Sequence, residues 1–150
     1  MEGMIKMKKL LLVVSIISFS FFFLSVAIAE TDTKTPKESE IIGYLQQGLV
    51  VFLCFHDPAE PNLDKIKADI ESVAANFKGA VKGVYVSGDD KKETKLRGNF
   101  KMTPKDTAVF ILLPPGTAVA KLEGDAITKA NLMRSLLSAC GGGSCGSSCK

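Results

Sequence analysis

Leu49-Val-Val-Phe-Leu-Cys-Phe55 is the stretch on which the fold of this chain turns. Seven consecutive apolar residues, rich in β-branched and aromatic side chains, predict a strand covered on both faces. Such a strand lies centrally in its sheet. Just upstream, Thr35-Pro36-Lys37-Glu38 predicts a helix start. Thr35 is placed to cap the free N–H groups, Pro36 suits the first helical position, and Glu38 reaches back to complete a capping box. Ile41, Ile42, Tyr44 and Leu45 give this helix an apolar stripe, and Gly48 ends it.

Downstream, residues 56–62 form a polar loop carrying Pro58 and Pro61. Residues 63–77 then place Leu63, Ile66, Ile70, Val73, Ala74 and Phe77 on one helical face, and Gly79 breaks the helix. Residues 80–87 predict a second strand, Gly88-Asp89-Asp90 a turn with a cap, and residues 91–100 a short charged helix with Lys91, Lys92, Glu93 and Lys95 on a solvated face. A buried strand at 107–113, a tight turn at Pro114-Pro115-Gly116 and a strand at 117–123 predict a hairpin. The last helix, 128–139, carries Ala130, Leu132, Met133, Leu136 and Leu137 as its stripe. The strand–helix–strand crossover requires parallel neighbours, whereas the Pro-Pro-Gly link forces an antiparallel pair. The expectation is an α/β domain with a mixed sheet of about four strands flanked by helices.

The two ends are of different character. Lys6, Lys8 and Lys9 precede the apolar run 10–26, and Ala27-Ile28-Ala29 offers a small-x-small cleavage site, so residues 1–29 read as a signal peptide. Export to a periplasm or the extracellular space follows, with a membrane anchor if the segment is not cleaved. The net charge of +3 over 150 residues falls to +1 once Glu2 and those three lysines are removed. A near-neutral, mixed surface has no electrostatic footprint for nucleic acid. Residues 30–35 are a polar lead-in and 36–139 the folded domain. Cys140-Gly-Gly-Gly-Ser-Cys145-Gly-Ser-Ser-Cys149-Lys150 has the composition of a flexible tail.

The element order, the strand "LVVFLCF", the loop into a long helix, "MTP" ahead of "AVFILLPPGTAVAKLEG" and the closing amphipathic helix together resemble the thioredoxin superfamily over residues 36–139. The resemblance implies a three-layer fold. It also implies a Cys-x-x-Cys pair at the start of the long helix, and those positions fall here on Glu60, Pro61, Asn62 and Leu63. Disulfide exchange needs a thiolate nucleophile and a resolving thiol, and Glu60 and Leu63 are neither. The resemblance further implies a cis-proline at Pro104 and, beside Thr103-Pro104, a groove that pairs with an extended peptide. Lys105 and Asp106 intervene before the strand, a departure from the family pattern.

Cys54, inside the first strand, reads as a buried apolar residue. His56, next to Asp57, reads as a solvated loop residue or as half of a His–carboxylate dyad. Glu60 is explained by the helix dipole alone. Cys140, Cys145 and Cys149 have no packing rationale and remain open to several readings. They suit a redox thiol set acting on envelope protein or peptide thiols, a soft-metal clamp for Cu(I) or, with a fourth ligand, zinc, a crosslink, or incidental disulfides. The leading expectation is a thiol function of this tail. The runner-up is a non-catalytic binding module using Thr103, Pro104 and His56.

Overall fold

The computed structural model describes residues 33–141. Thr35 caps α1 (Pro36–Gln46) through its hydroxyl, which accepts the Glu38 N–H at 3.1 Å, while the Glu38 carboxylate accepts the Thr35 N–H at 3.3 Å. β1 (Val50–His56) is buried at every position and pairs on both sides. It runs parallel to β2 (Val81–Ser87) and antiparallel to β3 (Ala108–Leu113), which pairs in turn with the edge strand β4 (Thr117–Glu123). The parallel pair is bridged by α2 (Leu63–Asn76), and α3 (Thr94–Asn99) and α4 (Lys129–Ala139) complete the helices. The sheet order β2-β1-β3-β4 with these directions is the thioredoxin-like arrangement, as expected.

Alternation along β1 explains its unbroken apolar run. Val50, Phe52 and Cys54 face α2 and α4, meeting Ile66, Ile70, Val73, Leu132 and Leu136. Val51, Leu53 and Phe55 face the opposite layer, meeting Ile41 and Leu45 of α1 and Leu96 of α3. The α4 stripe is narrower than its sequence suggests: Leu132 and Leu136 are fully buried, but Leu137 is 54% exposed and Ala130 is also exposed. An outer-layer helix has a sheet beneath it on one side only.

Residues 91–100 do not form a uniformly solvated helix. A 3₁₀ turn (Lys91–Glu93), capped by Asp90, leads into α3, and while Lys91, Lys92 and Lys95 are exposed, Glu93 is buried. The first N–H groups of α1 lack intrahelical partners, and the Glu93 carboxylate accepts one of them, from Lys37, at 3.0 Å. Its second oxygen is buried with no hydrogen-bond partner among the described residues. Arg97, also buried, donates to the carbonyls of Ser87 at 2.7 Å and Asp90 at 3.0 Å. Glu93→Ala is expected to cost about 1–2 kcal/mol by leaving a half-buried N–H unpaired, and Glu93→Gln distinctly less, since its amide oxygen still accepts from Lys37. Urea denaturation of the two variants checks this; equal losses would refute the capping role.

Candidate functional site

The loop between β1 and α2 is built by local hydrogen bonds. Asp57 Oδ1 accepts the Ala59 N–H at 2.9 Å, the Asp57 carbonyl accepts that of Glu60 at 3.1 Å, and Glu60 Oε1 accepts that of Asn62 at 3.1 Å. Asn62 caps α2 by position, but its side chain makes no capping bond. The loop is tied to the sheet through the Asp57 N–H, which donates to the Thr107 hydroxyl at 3.2 Å. Where α2 begins, β3 starts and β4 ends, a cavity of about 420 Å³ opens. Ile66 and Ile127 are its buried residues, and Glu60, Asn62, Lys65, Thr107, Gly124 and Asp125 complete its lining. Glu60 and Asn62 thus sit at the redox positions that the resemblance implied. No sulfur lines the cavity.

Cys54 is fully buried beneath α2. Burial pushes its thiol from an ordinary value near 9 up to about 12, with Lys67 opposing and Glu60 reinforcing the rise. At neutral pH it is a protonated, inaccessible thiol with no nucleophilic character. This agrees with its reading as a small apolar residue. The hydroxyl of Tyr85, the β2 residue paired with Cys54, is likewise pushed up to about 12 by burial, then by Glu71 and Cys54.

His56 is not a solvated loop residue. It is the last residue of β1, 8% exposed, and its Nδ1 lies 3.1 Å from the backbone carbonyl of Asp57, so the Nδ1–H tautomer donates there. The ring meets the backbone carbonyl of Asp57 and not its carboxylate, whose Oδ1 accepts the Ala59 N–H, so the dyad with His56 is not formed. Thr103 and Pro104 are exposed and stand outside the cavity lining. The cis peptide among the described residues is Pro114–Pro115, not Thr103–Pro104, which corrects the expectation drawn from the family. The physical reason lies in the two extra residues. Asp106 closes a turn on Thr103, its N–H donating to the Thr103 carbonyl at 3.2 Å and its carboxylate accepting the Thr103 N–H at 2.6 Å. That bond from the Thr103 backbone, followed by the Thr103 hydroxyl, holds the Asp106 carboxyl below its usual range. Pro104 takes the second position of this turn, one that suits proline. Thr107 consequently occupies the cavity edge where the sequence reading placed Thr103 and Pro104.

Cys140, at the end of α4, is partly buried against the α2-side core and is disulfide-bonded. Cys145 and Cys149 lie outside the described residues, as does the signal segment 1–29. Ile127, just before α4, lines the cavity, so the eleven residues of α4 carry Cys140 about 16 Å away from it. Among the described residues no group of His, Cys, Asp and Glu is arranged to hold a metal ion, and no helix is long and apolar enough to cross a membrane.

No protein-family model and no curated protein matches this chain. Among solved structures it is similar to one described as the structure of a malarial protein, at 13% identity and TM-score 0.51, over 60% of this chain and 96% of that one. It is also similar to the crystal structure of the J-Trx1 fragment of ERdj5, at 19% identity and TM-score 0.48, over 69% of this chain and 50% of that one. The first of these likenesses concerns the fold alone. What fold and site together define is an α/β domain with the thioredoxin-like sheet order and no cysteine at the start of its long helix.

Proposed function

We propose that this chain is an exported thioredoxin-like binding module that grips an extended segment of an envelope protein at the cavity beside α2, without thiol chemistry at that site. The observation that carries the reading is the pairing of an open cavity of about 420 Å³ with a lining free of sulfur. Its volume falls within the range of small-ligand and side-chain pockets. The signal-like segment 1–29 supports export.

A second reading is favoured by one specific observation, the disulfide at Cys140. Here the tail cysteines Cys140, Cys145 and Cys149 handle envelope thiols or, once reduced to thiolates, hold a soft metal such as Cu(I) or zinc. The nine residues from Cys140 to Cys149 extend to at most about 30 Å. That length is sufficient to return along α4 to the cavity.

Replacing Cys140, Cys145 and Cys149 by serine separates the two. Under the binding reading, the purified variant retains the parent's profile on an array of extended peptides, and neither protein reduces insulin above background. Lost peptide binding, together with insulin reduction or Cu(I) binding confined to the parent, would establish the tail reading instead.

A further inference from the structure

The polar groups of the cavity are not balanced in charge. Glu60 approaches from the loop before α2, and Asp125 from the 3₁₀ turn (Gly124–Ala126) that follows β4, so two carboxylates reach the same opening from separate elements. Glu60 spends one oxygen on the Asn62 N–H, and its other has no hydrogen-bond partner among the described residues. Asp125 has no hydrogen-bond or ion-pair partner among the described residues. Lys65, the basic residue of the lining, is exposed in the first turn of α2 and pairs with neither acid. Ile66 and Ile127 contribute the thin apolar part of a lining that is otherwise polar. A polar opening with two carboxylates that have no ion-pair partner among the described residues has the chemistry that receives a long basic side chain, whose methylenes pass the isoleucines while its charged head stays at the wet rim.

We infer that the cavity is selective for an arginine side chain presented by an extended peptide, with Glu60 and Asp125 as the residues that read the guanidinium. This rests on the binding reading above and names the chemistry of its ligand. Guanidinium is the better match than ammonium because its planar fork can engage carboxylates from two directions. Each contact at a partly exposed rim contributes modestly, about two- to fivefold. Together they set the preference for a basic over an acidic residue at about tenfold.

The test titrates the purified protein, followed by backbone amide NMR, with three end-blocked peptides identical except for a central arginine, leucine or glutamate. The arginine peptide is expected to bind about tenfold tighter than the glutamate peptide, to move the amides of Thr107, Gly124 and Asp125, and to weaken as salt rises. Combined Glu60→Gln and Asp125→Asn substitutions should erase this preference while leaving the spectrum folded, since Asp125 is exposed and glutamine retains an acceptor for Asn62. Equal binding of the leucine or glutamate peptide at those amides, or a preference that survives the double substitution, overturns the selectivity and leaves the binding module standing. If none of the three peptides moves those amides, the selectivity and the binding reading fall together.

Discussion

Gly88→Ala is expected to unfold much of what positions the cavity. Gly88 is buried directly after β2, and a Cβ built there would lie 1.8 Å from the carbonyl oxygen of Pro104 and 2.7 Å from its carbon. Both obstacles are backbone, so no side chain can swing aside. Either the turn at Thr103–Asp106 or the end of β2 must move by more than 1 Å, roughly the shortfall from an ordinary van der Waals contact. The Gly88 N–H also donates to the His56 carbonyl at 2.8 Å, so the displacement reaches the end of β1. The expected loss is about 3 kcal/mol, as for severe overpacking. In a domain of this size that lowers Tm by about 12–18 °C. Gly43→Ala provides the contrast, because it lies within α1 with nothing within 4 Å of its added Cβ. It should raise stability by about 0.5–1 kcal/mol. Thermal unfolding of both variants decides the matter, and a Gly88→Ala protein as stable as the parent would show that the two loops do not hold this close contact.

Raising the pH from about 9 to about 12 is expected to remove stability that depends on Cys54. Burial favours the neutral thiol, so the folded protein binds its proton more tightly than the unfolded chain, whose thiol titrates near 9. The contribution is therefore complete below pH 9 and is lost as pH climbs toward about 12. By about pH 11 the loss amounts to about 2–3 kcal/mol. Tyr85, half-buried, acts in the same direction to a smaller extent. Cys54→Ala isolates the effect. It costs some packing at every pH, but its denaturation midpoint should fall less steeply than the parent's across the alkaline range. Parallel curves would show that the thiol is not desolvated. In a background lacking the tail cysteines, Cys54 should also resist thiol reagents until the protein unfolds.

The fold was legible in the sequence because its signals are local. The continuous apolar run at 49–55, the Thr35 capping box and the Pro-Pro-Gly turn each point to one element, and the lengths between them leave few topologies for a sheet of this size. The site was only partly legible. Glu60 and Asn62 could be placed at the start of α2 by counting along the chain, and Cys54 could be read as buried. The places of Thr107 and Asp125 in the cavity lining carry no sequence signature. They become neighbours of Glu60 only when β3 and β4 bring distant segments to one end of the sheet. Glu93 misled for the same reason. In a run of lysines it reads as solvent-facing, yet its partner is the α1 N-terminus, 56 residues away along the chain.

By itself, then, the amino-acid sequence determined that this is an α/β chain with a doubly covered central strand, and that no thiol stands at the start of its long helix. Periodicity, caps and turn residues act over a few residues, and absence of a side chain needs no folding to be known. Only the tertiary structure decided that Cys54 is sealed beneath α2, that Thr103–Pro104 closes a turn outside the cavity, and that two acids from separate loops line one opening. Burial and electrostatic environment are set by which surfaces meet. Those meetings join residues tens of positions apart.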